Sequence, residues 1–108
     1  MPYGLPDQSL QQLRELFARQ QKVQRVVLYG SRAKGNYRPG SDIDLTLEGD
    51  DLSLQDLNRM EQQLDDLLLP WAIDLSLFAD IDNPDLIDHI RRVGQILFER
   101  APSYSESP

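Results

Sequence analysis

Residues 23–48 read VQRVVLYGSRAKGNYRPGSDIDLTLE, and this stretch decides the fold. Val23 to Tyr29 is β-branched and aromatic, and Gly30 bounds it, which predicts a buried strand. Asp42 to Glu48 alternates strictly: Ile43, Leu45 and Leu47 face one way, and Asp42, Asp44, Thr46 and Glu48 the other, as in a half-buried strand. Between them, Ser31 to Ser41 carries Gly35, Pro39 and Gly40 and reads as a loop that opens with a helical turn. That connection is too short for a helical crossover, so the two strands are expected to pair antiparallel.

The flanks extend the pattern. Upstream, Leu10, Leu13, Leu16 and Phe17 recur at helical spacing after Asp7, taken as the N-cap of a helix running to about Gln21. Downstream, Ser53 with Asp56 predicts a capping box opening a second helix, whose inner stripe is Leu57, Met60, Leu64 and Leu67 and whose end is set by Pro70. Trp71 to Phe78 predicts a strand with Trp71, Ile73, Leu75 and Leu77 on the apolar side and Asp74 on the other. Asn83-Pro84 predicts the start of a third helix, with Gly94 at its end and a short last strand at 96–98. The expected fold is α/β of the α+β type: a small mixed sheet packed by about three helices. One domain is expected over 1–100, and a disordered tail over 101–108.

Composition narrows the function. The 108 residues carry 18 acidic against 11 basic side chains, a net charge of −7, which argues against general nucleic-acid binding. No apolar run is long enough to span a membrane, the N-terminus lacks the pattern of a signal peptide, and no cysteine is present. A cytoplasmic location fits these features. The charge is also segregated. Residues 16–41 contain no acid but six cations (Arg19, Lys22, Arg25, Arg32, Lys34, Arg38), whereas residues 42–88 hold fourteen acids against Arg59 alone. Adjoining blocks of opposite sign suit a site where cations grip a polyanion and carboxylates hold a metal.

Asp42 and Asp44, two apart on a strand, leave the same face about 6.6 Å apart along the chain. By itself an Asp-x-Asp is most simply the wet outer face of an edge strand. Asp74, mid-strand between Ile73 and Leu75, changes the balance, because an unpaired acid there is costly. If its strand neighbours that of Asp44, three acids share one face, suited to Mg²⁺ and to proton removal from an attacking oxygen. Gly30-Ser31, directly after a strand, suits a close backbone approach to an anion, with Arg32, Lys34 and Arg38 as counter-charge. This is no Walker A loop, because Asn36 follows Gly35. His89, the single histidine, is read as a surface or partner contact. Trp71 is read as core, Tyr37 as a solvated loop residue, and Tyr29 as either core or pocket lining.

Gly30-Ser31, ten intervening residues, Asp42-x-Asp44 and a distant strand Asp74 together resemble the signature of the DNA polymerase β-like nucleotidyltransferases. Within them, GSRAKGNYRPGSDIDL is similar to the minimal nucleotidyltransferase (MNT) family, with a likeness over about residues 7–99. The resemblance implies a nucleotidyltransferase fold, ATP as substrate and two Mg²⁺ ions on Asp42, Asp44 and Asp74. It also implies that Gly30 and Ser31 hold the β- and γ-phosphates, and that Asp74 orients or deprotonates the acceptor. Members of similar size are commonly paired with a helical HEPN-type toxin, so the role the resemblance implies is antitoxin of a type VII-like pair, acting by AMP transfer to a tyrosine of that partner. The hetero-oligomer would use the third helix or last strand for docking. Two other readings stay open: neutralisation by binding alone, and nucleotidyl transfer to a small-molecule hydroxyl.

Overall fold

The computed structural model describes residues 1–101, so all of the expected tail but Ala101 lies outside the described residues. The elements follow in the order α1 (Asp7–Ala18), β1 (Arg25–Tyr29), α2 (Ser31–Lys34), β2 (Ile43–Glu48), α3 (Leu54–Asp66), β3 (Ile73–Leu77), α4 (Pro84–Val93) and β4 (Gln95–Glu99). Short 3-10 turns stand at Pro2–Gly4 and Phe78–Asp80. The sheet order is β3-β2-β1-β4. β1 runs antiparallel to both β2 and β4, and β2 runs parallel to β3, so the sheet is mixed as expected.

Alternation divides the sheet into two faces. Val26 and Leu28 of β1, Ile43, Leu45 and Leu47 of β2, Leu75 and Leu77 of β3 and Leu97 of β4 form one core with Leu10, Leu13, Leu16 and Phe17 of α1 and Met60 and Leu64 of α3. Each such side chain, removed from water, contributes roughly 1.5–3 kcal/mol before the ordering cost. The opposite face is only partly covered. There Val27 and Tyr29 meet Ile90 of α4, with Leu86, Phe78 and Ile81 packed around them.

The caps explain the helix boundaries. Asp7 is the first residue of α1 rather than its N-cap: Pro6 caps it without a side-chain bond, because Asp7 lies inside the first turn. The helix also stops earlier than expected, at Ala18. Asn83 caps α4 through its side-chain oxygen, which accepts from the Asp85 N–H at 2.9 Å, with Pro84 in the first turn. α3 ends at Asp66, before Pro70, and Leu68 beyond it takes φ 56°.

The capping box of α3 forms in full. The Asp56 N–H donates to Ser53 Oγ at 3.2 Å, and Asp56 Oδ2 accepts from the Ser53 N–H at 3.0 Å. The same carboxylate pairs with Arg59 at 3.1 Å and Lys22 at 3.3 Å. The Ser53 N–H above all, then the Ser53 hydroxyl, with Arg59 and Lys22 adding to them, hold the Asp56 carboxyl well below the usual carboxylate range. A carboxylate depressed in the folded state stabilises fully above its unfolded value, near 3.9, and loses that contribution as pH falls below it. Thermal unfolding followed from pH 6 downward should therefore show a steeper acid loss in the wild type than in Asp56→Asn, which should already be less stable at neutral pH. Parallel curves would refute this account of the cap.

Candidate active site

β1 delivers the chain to Gly30, which adopts φ 77° and ψ −157°, a conformation open essentially to glycine alone. A second constraint acts at the same atom: a Cβ on Gly30 would overlap Oδ2 of Asp44. The turn therefore lies directly against an acid of the neighbouring strand, where Tyr29 and Asp44 are register partners. α2 starts at Ser31, the Lys34 N–H donates to the Gly30 carbonyl at 3.0 Å, and Gly35 ends the helix with φ 89°.

The parallel register places Asp44 beside Asp74. Asp42 stands two residues before Asp44, just outside β2, and is exposed, as is Asp74. Burial is the main cause that raises the Asp44 carboxyl above its ordinary value, and the charges of Asp74 and Asp42 raise it further. Both neighbours thus act on Asp44. Among the described residues, no group of three or more His, Cys, Asp or Glu side chains stands assembled to hold a metal ion. The donor set nevertheless fits Mg²⁺, which needs one or two carboxylates and takes its other oxygens from phosphate and water. A cation would also relieve the repulsion that raises Asp44.

Tyr29, open in the sequence reading, is buried on the same side of the sheet. Burial raises its hydroxyl pKa most, the Ser76 side chain lowers it, and the charges of Asp74 and Asp44 raise it. Thr46 and Ser76, one alternation further along the same face, join through their hydroxyls at 3.1 Å.

The expectation that Arg32 serves as phosphate counter-charge is corrected. Its guanidinium is buried, at 2% exposure, and is consumed by backbone carbonyls. It donates to Tyr3 at 2.9 Å, to Pro39 at 3.1 Å and twice to Ser41, at 3.0 and 2.8 Å. Tyr37 and Trp71 cover it, their ring centroids 5.3 and 5.7 Å from its central carbon. Arg32 thus ties the N-terminal turn to the loop that delivers Asp42. Tyr37 is accordingly half-buried rather than solvated, and Trp71 divides itself between the core and a bond from its indole N–H to the Pro39 carbonyl at 3.0 Å. Lys34 and Arg38 are exposed and, among the described residues, form no salt bridge.

One contact was not legible in the sequence. His89 is no simple surface residue: its Nε2 accepts the Gly30 N–H at 3.1 Å, across 59 positions of chain. Only the packing of α4 on β1 creates this pair. No spacing rule links the two residues.

No curated protein is matched by this sequence. Among solved structures, the chain is similar to one in a toxin–antitoxin complex with AMP-PNP, at TM-score 0.69 and 22% identity, covering 84% of this chain and 73% of that one. It is also similar to a chain of the tri-AMPylated Shewanella oneidensis HEPN toxin in complex with MNT antitoxin (TM-score 0.64, 20% identity, 86% and 71% covered). A chain of the toxin–antitoxin MntA-HepT gives TM-score 0.64 at 20% identity, with 88% and 74% covered. At these identities the likeness is one of fold. The sequence itself matches the family described as Polymerase beta, Nucleotidyltransferase over residues 11–103, a span that contains the glycine–serine turn and all three acids. With that match across most of its length, the chain belongs to the polymerase beta nucleotidyltransferase family.

Proposed function

We propose that this protein transfers AMP from ATP to a tyrosine hydroxyl of a HEPN-type helical toxin, and so acts as the antitoxin of the pair. The observation that carries the reading is the register partnership of Asp44 with Asp74 beside the Gly30 turn. The solved relatives support it, because they include a complex with AMP-PNP and an AMPylated HEPN toxin.

In this reading Asp42 and Asp44 hold Mg²⁺, with Asp74 beside them. When bound, the metal supplies positive charge at the phosphates and aligns them for in-line displacement. The protein's own groups do the rest. The Gly30 N–H is already spent on His89, so the Ser31 hydroxyl and the amides that follow it contact the β- and γ-phosphates. Lys34 and Arg38, exposed on α2 and the following loop, approach the same anion. Asp74 orients the acceptor hydroxyl and takes its proton. The tyrosine oxygen then bonds to the α-phosphorus as the bond to pyrophosphate breaks.

The test uses the chain co-purified with its HEPN-type partner and ATP labelled at the α-phosphate. Label should appear on the partner only when Mg²⁺ is present. A wild-type protein that transfers no label to its correct partner refutes the reading. Full neutralisation of the toxin by a variant lacking Asp42, Asp44 and Asp74 would instead assign the protein to binding alone.

A further inference from the structure

The turn at Gly30 has no intrinsic reason to stay where it is. Glycine reaches φ 77°, ψ −157° readily, but it reaches many other conformations equally well. Something outside the turn must select this one. On one side the Asp44 carboxylate occupies the space a Cβ would take. On the other, the Gly30 N–H donates to the imidazole of His89.

His89 is well placed for this. Ile90, the next residue, is buried against Val27 and Tyr29, which fixes the rotation of α4 on the sheet. The Gly94 N–H closes the helix on the Ile90 carbonyl at 2.8 Å. The His89 ring meets Tyr29 edge-on, with centroids 6.2 Å apart and planes at 80°. Its Nε2 is the acceptor, so in the neutral ring the proton sits on Nδ1.

We propose that His89 is a positioning residue. By accepting the Gly30 N–H it holds the glycine–serine turn in the conformation that binds the nucleotide phosphates, and it couples that turn to α4. The proposal rests on the nucleotidyltransferase reading above. It assigns His89 no contact with substrate. It predicts an effect on phosphate binding, because the turn is what moves when the tether is lost.

Two substitutions separate the hydrogen bond from ring packing. His89→Phe keeps an aromatic edge for Tyr29 and removes the acceptor; His89→Gln removes the ring and returns an acceptor oxygen near the place of Nε2. In transfer assays with the HEPN-type partner, His89→Phe should lower kcat/KM by about tenfold, as befits one lost hydrogen bond. The loss should lie mostly in KM for ATP, with kcat little changed. His89→Gln should recover most of it. Amide exchange at Gly30, read by NMR without nucleotide, should quicken in the Phe variant and return towards wild type in the Gln variant.

Equal loss in both variants, or loss in Gln alone, would overturn the proposal and leave only packing on Tyr29. Unchanged exchange at Gly30 would overturn it as well, whatever the kinetics. A folded wild type that neither binds ATP nor transfers AMP brings down the functional reading itself, and this outcome is recognisable because it precedes any comparison of variants.

Discussion

Asp44→Asn should lose nucleotidyl transfer by on the order of 10³-fold or more while melting a few degrees higher than the wild type without nucleotide. Both halves follow from one fact. The Asp44 carboxyl is raised by burial, and further by Asp74 and Asp42. A carboxyl whose folded value lies above its unfolded value favours the folded state when protonated, and that advantage is lost as pH rises through the folded value. At neutral pH the ionised group therefore opposes folding. The amide of Asn keeps the shape and removes the charge, so it relieves the repulsion and removes the proposed metal ligand together. Added Mg²⁺ should raise the wild-type melting temperature and leave that of Asp44→Asn nearly unchanged. Loss of activity accompanied by a fall in stability would mean that Asp44 serves the fold rather than the chemistry.

The second large effect concerns Arg32. Arg32→Ala should lower the melting temperature by roughly 12–24 °C, from a cost of about 3 kcal/mol at about 4–8 °C per kcal/mol in a domain of this size. Removing the guanidinium leaves the carbonyls of Tyr3, Pro39 and Ser41 without their donor and empties a space capped by Tyr37 and Trp71. Arg32→Lys should fall between, since one ammonium cannot span three carbonyl groups in a planar fork. Scanning calorimetry decides the matter. A shift of less than about 4 °C, joined to a raised KM for ATP, would return Arg32 to the phosphates.

Much of this was legible locally. The alternation of 42–48, the capping box at Ser53 and the Asn83-Pro84 start all act within a few residues, and each formed where the sequence placed it. The short connection after Gly30 correctly implied the antiparallel β1–β2 pair, and the condition placed on Asp74, that its strand neighbour that of Asp44, is met. What the sequence hid was non-local. A cation in a basic run looks the same whether it meets an anion or three carbonyls, and Arg32 differs from Lys34 only in where α2 turns it. His89 likewise finds Gly30 only after α4 has docked on β1.

The sheet order carries one more consequence. β3 is one of the two edge strands, and among the described residues β2 is its single partner in the sheet. The residue assigned to accept the proton therefore stands at the rim, whereas Asp44 sits one strand inward. A bulky acceptor can approach from the flank, presenting a hydroxyl to Asp74 without displacing any backbone. Such access suits the folded protein acceptor proposed above.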